Sequence, residues 1–297
     1  MYALIAVLCW STVATAFKIT LRILDGDVLT VMFYAIGVTC CCYGFLLIKQ
    51  HRHLKMPVIS RNSILKSISL GSLNPVLYYF ILFKGYSLLP GQEAQPLNYL
   101  WPIILTWLSI LFLGHSKHIS HIIALFISIF GVLIITTHGH LTSFHISHAW
   151  GAVLCVFSAF IWSFYWLLNL KDKRPVVEKM WMNFTVGFVI VGLIVLIRHH
   201  DIRLSREAAL GVLWIGFFEM GWTYILWMKA LEKTSHAALV SNLVYLAPFL
   251  SLVFLRVAAG EDIRMSSFVG LFFIVAGILM QSIWQYRLKR LMTNAGN

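Results

Sequence analysis

Asn98-Tyr99-Leu100-Trp101-Pro102 and, 146 positions further on, Tyr245-Leu246-Ala247-Pro248 are the stretches on which the fold turns. Each sets a tyrosine three residues before a proline inside a long apolar run. The same shift carries Gly114 onto Gly260, and Gly131-Val132-Leu133-Ile134 onto Gly277-Ile278-Leu279-Met280. A shift of 145 carries Gly71, Tyr79 and Lys84 onto Gly216, Tyr224 and Lys229, and Trp10-Ser11 falls on Trp162-Ser163 at a shift of 152. Apolar sequence produces chance matches, so no pair decides alone, but an ordered set at a nearly constant offset does. The chain reads as a duplication, with one repeat over 1–140, a second over 148–290 and a tail over 291–297.

These stretches lie in a chain of 297 residues that is 60% hydrophobic and 11% charged, with mean hydropathy +0.82. Soluble chains average about 45–50% apolar and about 25% charged residues, so a soluble globular domain is excluded. A membrane-crossing helix needs roughly 20 apolar residues. Runs bounded by charges or turn residues give ten spans, at 2–22, 28–48, 66–86, 93–113, 119–137, 149–170, 180–197, 208–230, 236–257 and 266–286. Five spans per repeat is an odd number, so the repeats must enter the membrane with opposite orientations. The expected fold is an all-α membrane protein of ten transmembrane helices arranged as two inverted five-helix repeats. Pro96 and Pro102 fall in the fourth span and Pro248 in the ninth. Pro102 and Pro248 each remove a backbone donor and crowd the carbonyl four residues back, at Asn98 and Val244, so both helices should bend there.

The net charge of +12 lies mainly in loops, where basic residues set orientation and meet anionic headgroups; it points to membrane lipid as partner, not nucleic acid. With the N-terminus inside, the inner loops and tail hold Lys49, Arg52, Lys55, Arg61, Lys66, Lys117, Lys171, Lys173, Arg174, Lys179, Lys233, Arg287, Lys289 and Arg290. The outer loops hold Arg22, Arg198, Arg203, Arg206, Arg256 and Arg264. Fourteen against six places both termini in the cytoplasm. The start, Met1-Tyr2-Ala3, lacks a basic n-region, so the first run reads as a retained helix. Cys9, Cys40, Cys41, Cys42 and Cys155 fall inside apolar runs and read as buried thiols. The spacing of His115, His118 and His121 and the crowding of His138, His140, His145 and His148 do not by themselves converge on a metal. No phosphate-cradling loop or catalytic constellation stands out, so neither enzyme chemistry, a metal nor a cofactor is expected.

A carboxylate inside the bilayer costs about 2.5–3.5 kcal/mol on insertion scales. The five aspartates fall outside the spans, whereas Glu219 lies at the centre of the eighth, beside Phe217, Phe218 and Trp222. Two readings stand: a ligand for a substrate ammonium or a proton site, and a neutral acid making one interhelical hydrogen bond. At the 145-residue shift Glu219 corresponds to Asn74 and Thr223 to Tyr78, and i,i+4 pairs share a helix face. The fourth span adds a polar stripe of Gln92, Gln95, Asn98, Tyr99 and Thr106; the ninth offers Ser241 and Tyr245. Such stripes line a cavity or bond between helices. Trp10, Trp101, Trp162, Trp166 and Trp222 stand at or near the repeat motifs and are candidates to stack on a substrate ring or amine, core or interfacial packing being the alternative. Lys18, Lys84 and Lys229 lie near span ends, where snorkelling accounts for them, with gating or carboxylate binding as the alternative.

Leu8-Cys9-Trp10-Ser11-Thr12, Lys84 closing the third span, Asn98 to Pro102, Leu113-Gly114 and Gly260-Glu261 together carry a resemblance that covers almost the whole chain. It resembles the drug/metabolite transporter superfamily in its ten-helix EamA-type form. Asn98 to Pro102, with Phe160-Ile161-Trp162, is most similar to the branch containing aromatic amino-acid exporters. His115 departs from the pattern, since the family often has an acid after Leu-Gly. The resemblance implies a secondary transporter of the inner membrane, monomeric or homodimeric, exporting small metabolites by alternating access, with aromatic amino acids favoured. Nucleotide-sugars, nucleosides or drugs are the alternative cargo; a lipid-modifying membrane enzyme or a non-transporting scaffold is the alternative of another class.

Overall fold

The computed structural model describes residues 1–50, 60–113, 119–140, 148–232 and 243–295, and every regular element within them is helical. The first helix, α1 (Tyr2–Ile23), turns into α2 (Val28–Gln50) through Asp25 and Gly26, whose φ values of 49° and 76° are left-handed. Asp27 caps α2, its Oδ1 accepting from the Leu29 and Thr30 N–H groups at 3.1 Å each. Next come α3 (Arg61–Gly71), a π-type segment Ser72–Leu77 and α4 (Tyr78–Leu88). They are followed by α5 (Gly91–Asn98), α6 (Trp101–Leu113) and α7 (Ile119–Thr136).

The second half runs through α8 (Ala149–Leu170), α9 (Val176–Ile197), α10 (Arg206–Trp214), a π-segment Ile215–Trp222 and α11 (Thr223–Glu232). A 3-10 turn Leu243–Leu246, α12 (Ala247–Phe254), π-turns Leu255–Ala259 and α13 (Met265–Ala295) complete it.

Among the described residues seven helices are long and apolar enough to cross a membrane, at the first, second, fifth, sixth, seventh, eighth and tenth expected spans. The expected fourth span is divided at Tyr99 and Leu100, just before Pro102, and the ninth is described only from Leu243, with its 3-10 turn just before Pro248. The third is also divided, a break the sequence reading did not place. Pro75 is responsible: the residue before a proline is pushed out of the α region, and Asn74 is extended at φ −142°, ψ 117°.

The halves pack reciprocally: α2 lies on α9, α7 on α13, α4 on α8, and α11 on α1. Small residues set the closest approaches, as van der Waals packing in lipid requires. A Cβ on Gly71 would lie 2.5 Å from the Asn183 carbonyl oxygen; one on Gly216 would lie 2.5 Å from that of Ala35. Each glycine thus presses on the second helix of the opposite half. Likewise Gly131 meets the carbonyl of Gly270, and Gly277 that of Ala124. Phe45, Leu111, Phe126, Leu196 and Phe272 stay exposed on the bundle, as a lipid-solvated surface allows.

Candidate functional site

π-turns release carbonyls from the regular helical ladder, and in Ile215–Trp222 side chains of α2 take them up. Thr39 Oγ1 donates to the Gly216 carbonyl at 2.7 Å, and Tyr43 Oη lies 3.1 and 3.2 Å from the carbonyls of Met220 and Gly221. This anchors the irregular segment that carries Glu219. Glu219 lies in the middle of this segment and is half-buried. Tyr79 Oη donates to Glu219 Oε1 at 3.4 Å, and Tyr78 and Tyr99 are within electrostatic reach of the same carboxylate.

The break before Pro102 turns Asn98 and Tyr99 towards this region. Asn98 Oδ1 accepts from Tyr78 Oη at 3.4 Å, while its Nδ2 donates to Ser158 Oγ at 2.9 Å. Ser158 donates onward to the Cys155 carbonyl at 2.6 Å. Tyr99 is half-buried and neighbours Tyr245, its counterpart at the 146-residue shift. Tyr78 stacks on Trp162 with ring centroids 4.7 Å apart. Of the sequence candidates, Glu219, Tyr78, Asn98, Tyr99, Tyr245 and Trp162 are therefore brought together.

Others lie elsewhere. The expected common centre of Asn74 and Glu219 is corrected: extended by Pro75, Asn74 is buried against Tyr165 beside Asn183, in a second polar cluster. Thr223 is fully buried beside Cys9. Gln95 is buried with its Oε1 unpartnered. Trp10 packs on Trp227 at 5.3 Å. The Trp101 carbonyl accepts from Ser163 Oγ at 2.8 Å, and its ring joins a cluster around Leu100 and Ile103. Pro248 is buried at the start of α12; Ser241 lies outside the described residues. Trp166, a sequence candidate for ring stacking, stacks on Tyr224 at 5.4 Å; sequence reasoning missed Tyr79 and Tyr224 as site residues. Their signal was the repeat itself, since Tyr79 and Tyr224 are equivalent at 145.

A polar junction joins the halves at the end where α1 turns into α2. Glu261, from the second half, caps α5 of the first: its two oxygens accept from the Gly91 and Gln92 N–H groups at 2.7 and 3.1 Å. Gln92 leaves the expected cavity stripe, because its Nε2 donates to the Asp262 carbonyl and its Oε1 accepts from Arg264 N and Ser267 Oγ. Glu93, at the edge of the fourth span and overlooked in the sequence, is 1% exposed; its Oε1 lies 2.6 Å from Arg264 Nη1 and 2.9 Å from His138 Nε2.

Lys18 does not snorkel to a lipid interface. It turns inward and donates to the carbonyls of Tyr86 and Leu89 at 2.9 and 2.8 Å, closing the C-terminus of α4, whereas Lys84 and Lys229 are exposed. Lys18, Arg22, Gln92 and Glu261 line an open cleft of about 680 Å³ here.

Two loop clamps flank the bundle. Asp27 bonds His200 Nε2 at 2.9 Å; burial opposes its ionisation, but hydrogen bonds from Thr30 and His200 prevail and hold its carboxyl below the usual range. Asp172 accepts from Arg174 at 2.7 Å and, despite burial, is held low by that guanidinium, which also bonds the Ser63 carbonyl and Ser67 Oγ.

Residues 1–137 and 149–283 match the EamA-like transporter family. The chain is 25% identical over 215 residues to the uncharacterized transporter YvbV of Bacillus subtilis (strain 168), covering 70% of this chain and 68% of that protein. Its fold is similar to a crystal structure that it matches with TM-score 0.65 and 20% identity over 97% of each chain, a likeness of fold alone.

Proposed function

The chain belongs to the EamA-like transporter family, and from that premise we propose a secondary transporter that exports small amine-bearing metabolites with a ring, aromatic amino acids foremost, by alternating access. Two inverted five-helix repeats, 1–140 and 148–290, rock about a site between them and expose it to each side in turn. The observation that carries this reading is Glu219: an acid in the middle of an apolar span, bonded by Tyr79 and set among rings contributed by both halves. Intramembrane acids are retained for ligands, ions or protons, and aromatic faces suit both ring and ammonium. The reciprocal packing of α2 on α9 and α7 on α13 supports the inverted arrangement, and the helix break before Pro102 and the 3-10 turn before Pro248 supply compliant points near the site.

The membrane assigned is the cell inner membrane, with both termini and the 291–297 tail in the cytoplasm. The basic residues support this orientation, and a reporter fused after Arg290 that reads outside would overturn it. Function is tested by reconstituting the purified protein in liposomes and following a metabolite panel. Aromatic amino compounds should exchange, and Glu219→Gln should slow them or alter their pH profile with membrane insertion intact. Exchange of a nucleotide-sugar, nucleoside or drug, with no amino compound moving, overturns the substrate class.

A further inference from the structure

We propose that Glu261 is the latch of an extracytoplasmic gate whose moving part is α5. This rests on the transporter reading above, which supplies the need for a gate, and adds a positioning residue to it. With both termini inside, the end at which α1 turns into α2 faces outwards, and the cleft of about 680 Å³ opens there. Gln92 and Glu261 belong to its lining, and α5 runs inward from them. At the far end of α5, Asn98 bonds Tyr78 Oη and Ser158 Oγ, so this helix links the cleft to the candidate site. Its 8 residues, at about 1.5 Å each, make it about 12 Å long. Breaks bound it on both sides: Leu89 is extended at φ −117°, ψ 153°, and Tyr99 and Leu100 form a turn before α6. Residues at the ends of elements are where hinge motion is absorbed.

The first turn of α5 is held from the other half. Glu261 takes the Gly91 and Gln92 N–H groups, one on each carboxylate oxygen. A Cβ on residue 91 would lie 3.2 Å from Glu261 Oε1 and 2.7 Å from Leu255 Cδ2, so glycine is what lets the carboxylate and the neighbouring helix close on this backbone. The Gln92 side chain and the Glu93 carboxylate are bound by the same 260–267 segment. Alternating access requires the halves to part at this end. Glu261 then leaves with its own half, and the first turn of α5 loses its cap. One turn further in, Gln95 is buried with its Oε1 unpartnered, a state that is costly until water reaches it. Latched, α5 separates the cleft from Asn98; released, it tilts about its two breaks and joins them.

The test reads access to the site without any substrate. A reporter cysteine replaces Ser158, the partner of Asn98, in the full chain without its five native cysteines, and intact cells are treated with a membrane-impermeant maleimide. Labelling should rise about tenfold or more in Glu261→Ala, which loses two charge-assisted hydrogen bonds, and less in Glu261→Gln, which keeps one acceptor. Asp25→Asn, a change of charge at an exposed residue of the same cleft, should leave labelling unaltered, and each variant is checked for unaltered melting. A second measurement bridges Gln92→Cys to Ser267→Cys, positions whose polar side-chain atoms are 3.0 Å apart, with a short reducible bis-thiosulfonate. Phenylalanine exchange in liposomes should stop on bridging and return on reduction. Labelling unchanged in Glu261→Ala, or raised equally in Asp25→Asn, overturns the latch, as does exchange that continues through the bridge. A wild-type chain that exchanges no amino compound, with the labelling pattern intact, overturns the substrate reading and leaves the gate standing.

Discussion

Replacing Arg264 by alanine is expected to loosen the junction at which α5 meets the 260–267 segment. Glu93 is 1% exposed and Arg264 45% exposed, with Nη1 2.6 Å from Glu93 Oε1. A hydrogen bond to a charged group contributes about 1.5–3 kcal/mol, and stripping one partner from a fully buried ion pair costs about 3–5 kcal/mol. Because Arg264 is partly solvated, the lower range applies. About 2 kcal/mol corresponds to a factor of about 30 in the equilibrium between the closed and open junction. The Glu261 cap on Gly91 and Gln92, and the bonds of the Gln92 side chain, remain, so the variant should fold. The assay places a reporter cysteine at Gln95, behind the junction, in a background without the five native cysteines, and measures labelling by a membrane-impermeant maleimide. Labelling should rise about 30-fold in Arg264→Ala and less in His138→Ala. Arg256→Ala is the control, since Arg256 and Asp262 are an exposed pair worth little. Unchanged labelling in Arg264→Ala, or an equal rise in Arg256→Ala, refutes the reasoning.

Two further outcomes are expected. The lowered pKa of Asp27 means that its stabilising bonds are fully present above the unfolded value, about 4, and lost as pH falls through the folded one. Melting temperature should therefore drop on acidification, and Asp27→Asn should flatten that dependence; an acid limb unchanged in the variant removes the clamp from the account. Asn98→Ala should reduce transport at matched protein levels several-fold, each of its lost hydrogen bonds being worth about 1 kcal/mol, and Tyr99→Ala should reduce it through loss of the ring beside Glu219 and Tyr245. Ile104→Ala, on the cluster around Leu100 and Ile103, should do so much less, and equal losses at all three positions would remove Asn98 and Tyr99 from the site.

The sequence alone made the helix break before Pro102 and the irregular turn before Pro248 legible, because each proline removes a backbone donor, although Pro96 is carried inside α5 without a break. The same reasoning applied to Pro75, where Asn74-Pro75 stands in the middle of the third span, would have placed the third break. The polar junction was harder to foresee. Lys18, Gln92, Glu93, Glu261 and Arg264 are ordinary span-end residues when each is read against lipid or water. Their partners come from the other half, at separations such as 170 residues between Gly91 and Glu261, and hydropathy carries no information about pairings of that range. Glu219 stood out in the sequence because its cost is local; Tyr79, which donates to it, was marked only by its match to Tyr224 in the repeat, which says nothing about its partner.

The failure of Asn74 as Glu219's counterpart follows from one residue. Both lie in irregular π-type segments at corresponding positions, but Ile215–Trp222 contains no proline and continues into α11, so Glu219 stays on the helical path. In the first half Pro75 forces Asn74 to φ −142° and carries its side chain to Tyr165 and Asn183. What remains common to both halves is the next turn, where Tyr79 packs on Tyr78 and Tyr224 stacks on Trp166. A second acid at position 74 would add an unpaired buried charge to an apolar bundle, which is costly wherever it points. The duplicated frame therefore keeps paired tyrosines at this turn but a single acid. The asymmetry lies in the residue type at 74 and 219 and in one proline, while the packing glycines Gly71 and Gly216 keep the surrounding backbones in register.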